Sequence, residues 1–263
     1  MIGPLAGVSV LVTRPPHQAG VLVEKIRAAG GIPILFPVLE IRDISDQRPL
    51  LELIGRLDEF DMAIFVSPNA VNKAMNLITA NRTIPSRLRL ATVGPGTVAS
   101  LQRFGVNSVI APTTRFDSEA LLDMAELKEI AGKRVVIFRG DGGRDLLGQT
   151  LLERGAKLEY AECYRRVKPN ADVSPLLEAL ARGELKAVTI TSSEGLRNLL
   201  DMVGKADQFR LEKIPLLVSH ERIAKAAKKM GWLHVILTSP GDDGFLEGLS
   251  NYFRPRVAGG NSP

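Results

Sequence analysis

The sequence is short of the residues that most sites of known chemistry require. Its one cysteine, Cys163, has no partner for an internal disulfide. With three scattered histidines (His17, His220 and His234) there is no Cys/His cluster at the spacing of a zinc site. No structural zinc is expected, and Cys163 reads as a small, half-buried hydrophobe. Aromatic residues make up 5% of the chain, and no Lys/Arg tract carries interleaved aromatics, which argues against nucleic acid as the partner. No apolar run approaches the roughly 20 residues that span a bilayer. The N-terminus has no basic segment leading into a signal-peptide core, so the expectation is a cytoplasmic protein without membrane contact. The turn Gly140, Asp141, Gly142, Gly143 is not followed by Gly-Lys-Ser/Thr. Neither it nor Gly94, Pro95, Gly96 has the GxGxxG spacing, and nothing demands a nucleotide. Ser67 and Ser192 lie in no GxSxG elbow.

What is present is 45% hydrophobic residues in 263, enough for one large core or two ordinary ones, and a net charge of +5. With a sequence pI near 9.4 the balance favours an anionic partner. Since the basic residues are dispersed, a polyanionic small molecule suits them better than a nucleic acid.

The hydrophobic pattern repeats. An apolar run over 8–12 ends near Arg14; Pro15 and Pro16 turn the chain, 18–29 is helical, Gly30 and Gly31 stop it, and 32–41 is extended. The stretch 135–167 reads the same way: an apolar run ending in Arg139, a glycine-rich turn, a helix to Arg154, Gly155, and an extended tail that reaches Tyr164. Between them lie a helix over 50–57, a strand over 62–66 with Ser67 and Pro68 starting a helix, a strand over 88–93 with a helix over 98–104, a short strand over 108–111 and a helix over 119–127. Beyond the second copy the same order returns: strands over 186–191, 214–218 and 235–237, with helices over 194–202, 222–230 and 245–253, then a loose tail over 254–263. Subtraction fixes the register. Arg14 to Arg139, Ser67 to Ser192 and Val93 to Val218 are each 125 positions apart, and Gly105 to Gly231 is 126. A duplicated series of strand, turn and helix implies an α/β protein with two parallel sheets, each covered by helices on both faces.

In such sheets ligands lie beyond the carboxyl ends of the strands, where helix N-termini offer free N–H groups to anions. The turns at Ser67 to Asn69, Gly94 to Thr97, Gly140 to Gly143, Ser192 to Ser193 and Ser219 to Glu221 are therefore the candidate site, although a serine before a helix is most often only a cap.

Several segments carry a resemblance: Val12 to Pro15; Phe65 to Val71 (FVSPNAV); Val93 to Thr97 (VGPGT); and Cys163 to Arg166 (CYRR). In order and spacing, from about Val8 to about Phe253, the chain resembles the uroporphyrinogen-III synthases. The resemblance implies two flavodoxin-like or Rossmann-like parallel-sheet domains joined by a two-stranded β-ladder. One domain would be 1–35 plus 168–263 and the other 36–167, with 34–41 and 159–167 as connectors. It implies a lyase of tetrapyrrole and heme synthesis that needs no cofactor. Such an enzyme takes hydroxymethylbilane, a linear tetrapyrrole with eight carboxylates, removes water, and closes the ring with inversion of the last pyrrole in the cleft between the domains. Tyr164 matches a cleft tyrosine, whose phenol, with an ordinary pKa near 10, stays protonated at neutral pH and can donate to the departing hydroxyl. Arg14, Ser67, Asn69, Thr97, Arg139, Gly140, Ser192, Ser193, Ser219 and Arg222 carry over as substrate-binding positions. Glu221 departs from the family's small or hydroxyl residue and is expected to point away. A monomer, with handover of bilane from hydroxymethylbilane synthase, completes the expectation. The alternative from another class is a non-enzymatic two-domain sensor that binds anions or tetrapyrroles.

Overall fold

A computed structural model of the chain describes residues 3–142 and 145–254. The expected tail beyond Arg254, and Gly143 of the glycine-rich turn, lie outside the described residues. The strands are β1 (Ser9–Val12), β2 (Ile32–Leu35), β3 (Glu40–Arg42), β4 (Met62–Phe65), β5 (Arg89–Thr92), β6 (Arg134–Gly140), β7 (Lys157–Val167), β8 (Leu185–Ile190), β9 (Leu216–Val218) and β10 (Val235–Leu237). They form two five-stranded sheets, in the orders β10-β9-β8-β1-β2 and β3-β7-β6-β4-β5. Within the first, β1 pairs in parallel with β2 and β8, and β9 with β8 and β10. Within the second, β4 pairs in parallel with β5 and β6, and β6 with β7.

The repeat of 125 positions has its counterpart in these orders. Adding it to β1, β2, β4 and β5 lands on β6, β7, β8 and β9, and β2-β1-β8-β9 in one sheet answers β7-β6-β4-β5 in the other. The first strand-turn-helix unit of the chain thus belongs with the later strands. By contacts the chain divides into a unit of Met1–Glu40 with Val167–Pro263 and a unit of Ile41–Arg166.

Both faces of each sheet are covered, which is why the strands read as unbroken apolar runs rather than alternating ones. In the first unit Leu11, Val188, Ile190 and Val218 face Leu196, Leu199, Ile223 and Trp232. The opposite face sets Val10, Val12, Ala187 and Leu217 against Leu22, Ile26, Phe245 and Leu249. In the second unit Phe65, Val136 and Phe138 pack on Val71, Ala74, Met75 and Leu101, while Met62, Ile64, Val135 and Ile137 pack on Leu121, Leu127, Leu147 and Leu151. Phe65 and Phe138, neighbours across β4 and β6, stack with centroids 4.7 Å apart and planes at 7°. Buried threonines at the strand ends are satisfied by the next strand: Thr92 donates to the Phe65 carbonyl (2.7 Å), and Thr189 to that of Leu11 (3.0 Å).

Two expected elements differ from the sequence reading, and two further helices are added. The strand expected over 108–111 is reduced to a single bridge, Ile110 against Ala91, because Pro112 follows with no N–H to continue the ladder. The helix expected over 119–127 is two short ones, Ser118–Leu122 and Ala125–Lys128. Helices Ser174–Ala181 and Lys205–Leu211 have no counterpart in the sequence reading.

The packing yields two expected outcomes. Phe138→Ala removes a stacked, fully buried ring and is expected to cost roughly 3–5 kcal/mol in urea unfolding, whereas Leu233→Ala, at a position 65% exposed, should stay within about 0.5 kcal/mol. Cys163 is fully rather than half buried, and burial pushes its thiol up to about 12. It should therefore ignore a thiol reagent at pH 8 until the protein unfolds. The raised value makes its contribution to stability complete below the ordinary thiol range and lost as pH climbs towards 12.

Candidate functional site

Strands β4 and β6 end side by side, and each gives way to a polar turn. After β4 the chain extends at Ser67, which caps the helix Pro68–Asn81. Its Oγ accepts the Ala70 N–H at 3.1 Å, and Pro68 sits where a missing N–H costs nothing. After β6 comes the Gly140 turn, and alongside it β7 delivers Tyr164. A register slip sets the phenol's direction. Arg139 pairs with Glu162, but Gly140 pairs with Tyr164, so one residue of β7 is skipped. The alternation that buries Ala161 and Cys163 and exposes Glu162 is thereby broken, and Tyr164 is turned inward, 4% exposed. Its ring lies over Gly140, where a Cβ would fall 2.5 Å from the ring edge. Its hydroxyl is 3.0 Å from Ser67 Oγ.

Beside this pair opens a cavity of about 170 Å³, lined among others by Ser118, Arg139, Gly140, Tyr160, Tyr164 and Arg166. Arg139 crosses it. Its guanidinium donates to the Gly142 carbonyl, lies 5.0 Å from the centroid of the Tyr160 ring, and approaches Asp145 at 3.6 Å. Tyr160 donates to Asp145 at 2.5 Å; burial, with that bond adding to it, pushes the phenol up to about 12, so it is a neutral donor at any physiological pH. Tyr160, Asp145, Ser118 and Arg166 are not among the site residues expected from sequence, although Arg166 closes the CYRR segment. Tyr160 sits four positions before Tyr164 on the same strand, Arg166 two after it, and Ser118 stands at a helix start; nothing local marks Asp145.

A larger groove of about 460 Å³ lies beside Asp46, Asp141, Glu162 and Arg165. The hydrogen bonds from Arg48 hold the Asp46 carboxyl below the usual range. Three carboxylates outnumber the guanidinia of Arg48 and Arg165, a balance that disfavours an anion, so the smaller cavity is the better candidate despite its size.

The remaining expected positions divide between the two units. In the second, Thr97 is buried in the first turn of the helix Pro95–Gln102, capped by Gly94, and Asn69 is half-buried in the first turn after Ser67. In the first, Ser192 caps the helix Ser193–Val203 by accepting the Gly195 N–H at 2.9 Å, and Ser193 opens that helix. Ser219 follows β9, and Arg222 is exposed in the first turn of Glu221–Lys229. Glu221 is drawn to Lys225, 3.0 Å away on its own helix. Arg14 is committed within its unit: it pairs with Asp242 and lies 5.4 Å from the centroid of the Phe245 ring. Arg14, Ser192 and Ser219 follow the adjacent strands β1, β8 and β9 and share one edge of the first sheet. Among the described residues no group of three or more His, Cys, Asp or Glu is placed to hold a metal, and no helix is long and apolar enough to cross a membrane.

The family described as uroporphyrinogen-III synthase HemD matches residues 20–247. The uroporphyrinogen-III synthase of Escherichia coli (strain K12) is 32% identical over 240 residues, 90% of this chain and 98% of that protein. That of Salmonella typhimurium is 34% identical over 243 residues, again 90% and 98%. Among solved structures, a mutant uroporphyrinogen III synthase from the extremely thermophilic bacterium Thermus thermophilus superposes with a TM-score of 0.65 at 18% identity, covering 93% of this chain and 98% of its own. The Helicobacter pylori uroporphyrinogen-III synthetase gives 0.58 at 14%, covering 91% and 96%. At those identities the structures share the fold.

Gly140→Ala tests the seat of Tyr164. The added methyl forces the ring to move, and a loss of roughly 1–3 kcal/mol in urea unfolding is expected, together with a shifted Tyr164 ring resonance in NMR spectra.

Proposed function

The chain belongs to the uroporphyrinogen-III synthase family, a family of lyases, and from that premise we propose that it converts hydroxymethylbilane to uroporphyrinogen III, with Tyr164 as the proton donor. The observation that carries the residue assignment is the placement of a buried phenol beside a helix N-terminus and a cavity crossed by an arginine, in a chain with a net charge of +5.

The chemistry needs little else. Breaking the C–O bond of the terminal hydroxymethyl group sends its electron pair to oxygen. The Tyr164 phenol supplies the proton that makes the leaving group water, and the pyrrole nitrogen's lone pair stabilises the cation left on carbon. That cation bonds first to the substituted α carbon of the last pyrrole, giving a spiro centre. The bond from that carbon to its own methylene bridge then breaks, its electron pair returning to the pyrrole and leaving a cation on the bridge. The bridge bonds to the free α carbon of the same ring and so inverts it; that carbon loses a proton as aromaticity returns. That proton restores the phenol, so no net acid is consumed. Arg139 and the N–H groups around Gly140, Asn69 and Thr97 take substrate carboxylates in the second unit; Ser192, Ser193, Ser219 and Arg222 do so in the first. Arg14 joins them only by exchanging Asp242 for a substrate carboxylate. The reading includes a cytoplasmic monomer that receives bilane from hydroxymethylbilane synthase. The sensor alternative finds no support among the relatives, whose names are those of synthases.

The test is a coupled assay with porphobilinogen and hydroxymethylbilane synthase, with products oxidised and separated by isomer. Bilane left to itself closes without inversion to the type I ring. Addition of the protein should switch the product to type III, and unchanged type I product from folded protein would exclude the synthase reading. Tyr164→Phe is expected to lower turnover roughly 10- to 100-fold, the partial end of general-acid catalysis; unchanged turnover would remove Tyr164 from the acid role.

A further inference from the structure

Ser67 and Ser192 hold the same position in the repeat and make the same cap, each Oγ accepting the N–H three residues on, at 3.1 and 2.9 Å. At Ser67 a further partner is present, the Tyr164 hydroxyl at 3.0 Å, and the distance alone leaves the donor open. The surroundings decide it. Ser67 Oγ already accepts from Ala70 and sits at the positive end of a helix of 14 residues, which draws electron density from the oxygen and makes it a poorer second acceptor and a better donor. A hydroxyl carries one hydrogen, and the phenol oxygen lies within its reach.

We propose that Ser67 is a positioning residue for Tyr164: its hydroxyl hydrogen is donated to the phenol oxygen, which leaves the phenol's own hydrogen directed at the departing hydroxyl of the substrate. The chain of donors runs from Ala70 N–H to Ser67 Oγ–H to Tyr164 Oη. When the phenol releases its proton, the resulting phenolate keeps a preformed donor in place, so the helix end stabilises the charge as it develops without reorganisation. Gly140 holds the ring from the other side, since a Cβ there would meet it at 2.5 Å. Ser67 in this role acts through Tyr164 and not on a substrate carboxylate. The proposal rests on the synthase reading for its catalytic consequence, but the direction of the hydrogen bond is a property of the free protein.

Two measurements test it separately. In the free protein, the tyrosine Fermi doublet in the Raman difference spectrum of wild type minus Tyr164→Phe reports whether this phenol oxygen accepts or only donates. It should read as a strong acceptor, lose that signature in Ser67→Gly and keep it in Ser67→Thr. A phenol that reads as donor to Ser67 overturns the proposal, whatever the enzyme's activity. In the isomer assay, Ser67→Gly, which caps a helix nearly as well as serine, should lower kcat roughly 3- to 10-fold with KM unchanged, the effect of one hydrogen bond. Ser67→Thr should restore it, and in a Tyr164→Phe background the substitution should cost nothing further. An equal loss in both backgrounds would assign Ser67 to the substrate or to the cap alone and overturn the positioning role. Absence of type III product from the wild type would strike the synthase reading, while the Raman result would still decide the direction of the bond.

Discussion

A parallel sheet covered by helices on both faces has no face left for chemistry. Every side chain along β1 and β4, and all of β8 but Lys186, is buried, with Val10, Val12, Ile64 and Phe65 all at 1% exposure or less. What the sheet offers instead is its carboxyl-terminal edge, where each strand gives way to a helix whose first N–H groups have no partner within it. The site arises from this constraint. Ser67, Gly140 and Tyr164 meet because β4, β6 and β7 are neighbours in one sheet and Tyr164 lies opposite Gly140, where β6 ends. The same constraint explains why the ligand reading is anionic without a lysine-rich patch: backbone dipoles at several helix starts act in place of a cluster of cations.

Much of the fold is legible in the sequence because duplication leaves a register that can be measured. The interval from Arg14 to Arg139 is that from Ser67 to Ser192, and it maps the strands of one sheet onto those of the other in the same order. Apolar runs of four to six residues, ended by Ser, Pro or Gly, mark β1, β4, β5 and β8 for the same reason that they are buried on both faces. Legibility fails where the signal is weak or divided. Ile110 makes only one bridge because Pro112 cuts the strand short, and the helix Lys205–Leu211 falls in a stretch with no duplicate to flag it, whereas Ser174–Ala181 answers the helix Arg48–Gly55 at the interval of the repeat and was legible through it.

The candidate site is legible in part. The capping serines could be named from Ser-Pro and Ser-Ser before helical periodicity, and the glycine turn from composition. The direction of Tyr164 could not. Strict alternation along β7 would leave it on the exposed side with Tyr160 and Glu162, and the register slip that turns it inward has no mark in the sequence. Nor could the sequence tell a cationic side chain with a local partner from one that waits for a ligand. Arg14 meets Asp242, 228 positions away, while its counterpart in the repeat, Arg139, meets Asp145 and the Tyr160 ring. The two arginines are equivalent in the repeat and differ in what holds them.

The central claim is that the strand-end turns, and not the basic helix face of Lys225, Lys228 and Lys229, receive the polycarboxylate. Amide NMR of the free protein titrated with uroporphyrin III, a stable octacarboxylate of the product's skeleton, tests it directly. The account predicts that the largest shifts fall on the N–H groups of Asn69, Ala70, Gly96, Thr97 and Gly140 and on the turns after Ser192 and Ser219. Shifts confined to the helix Glu221–Lys229, or scattered over exposed lysines, would contradict it.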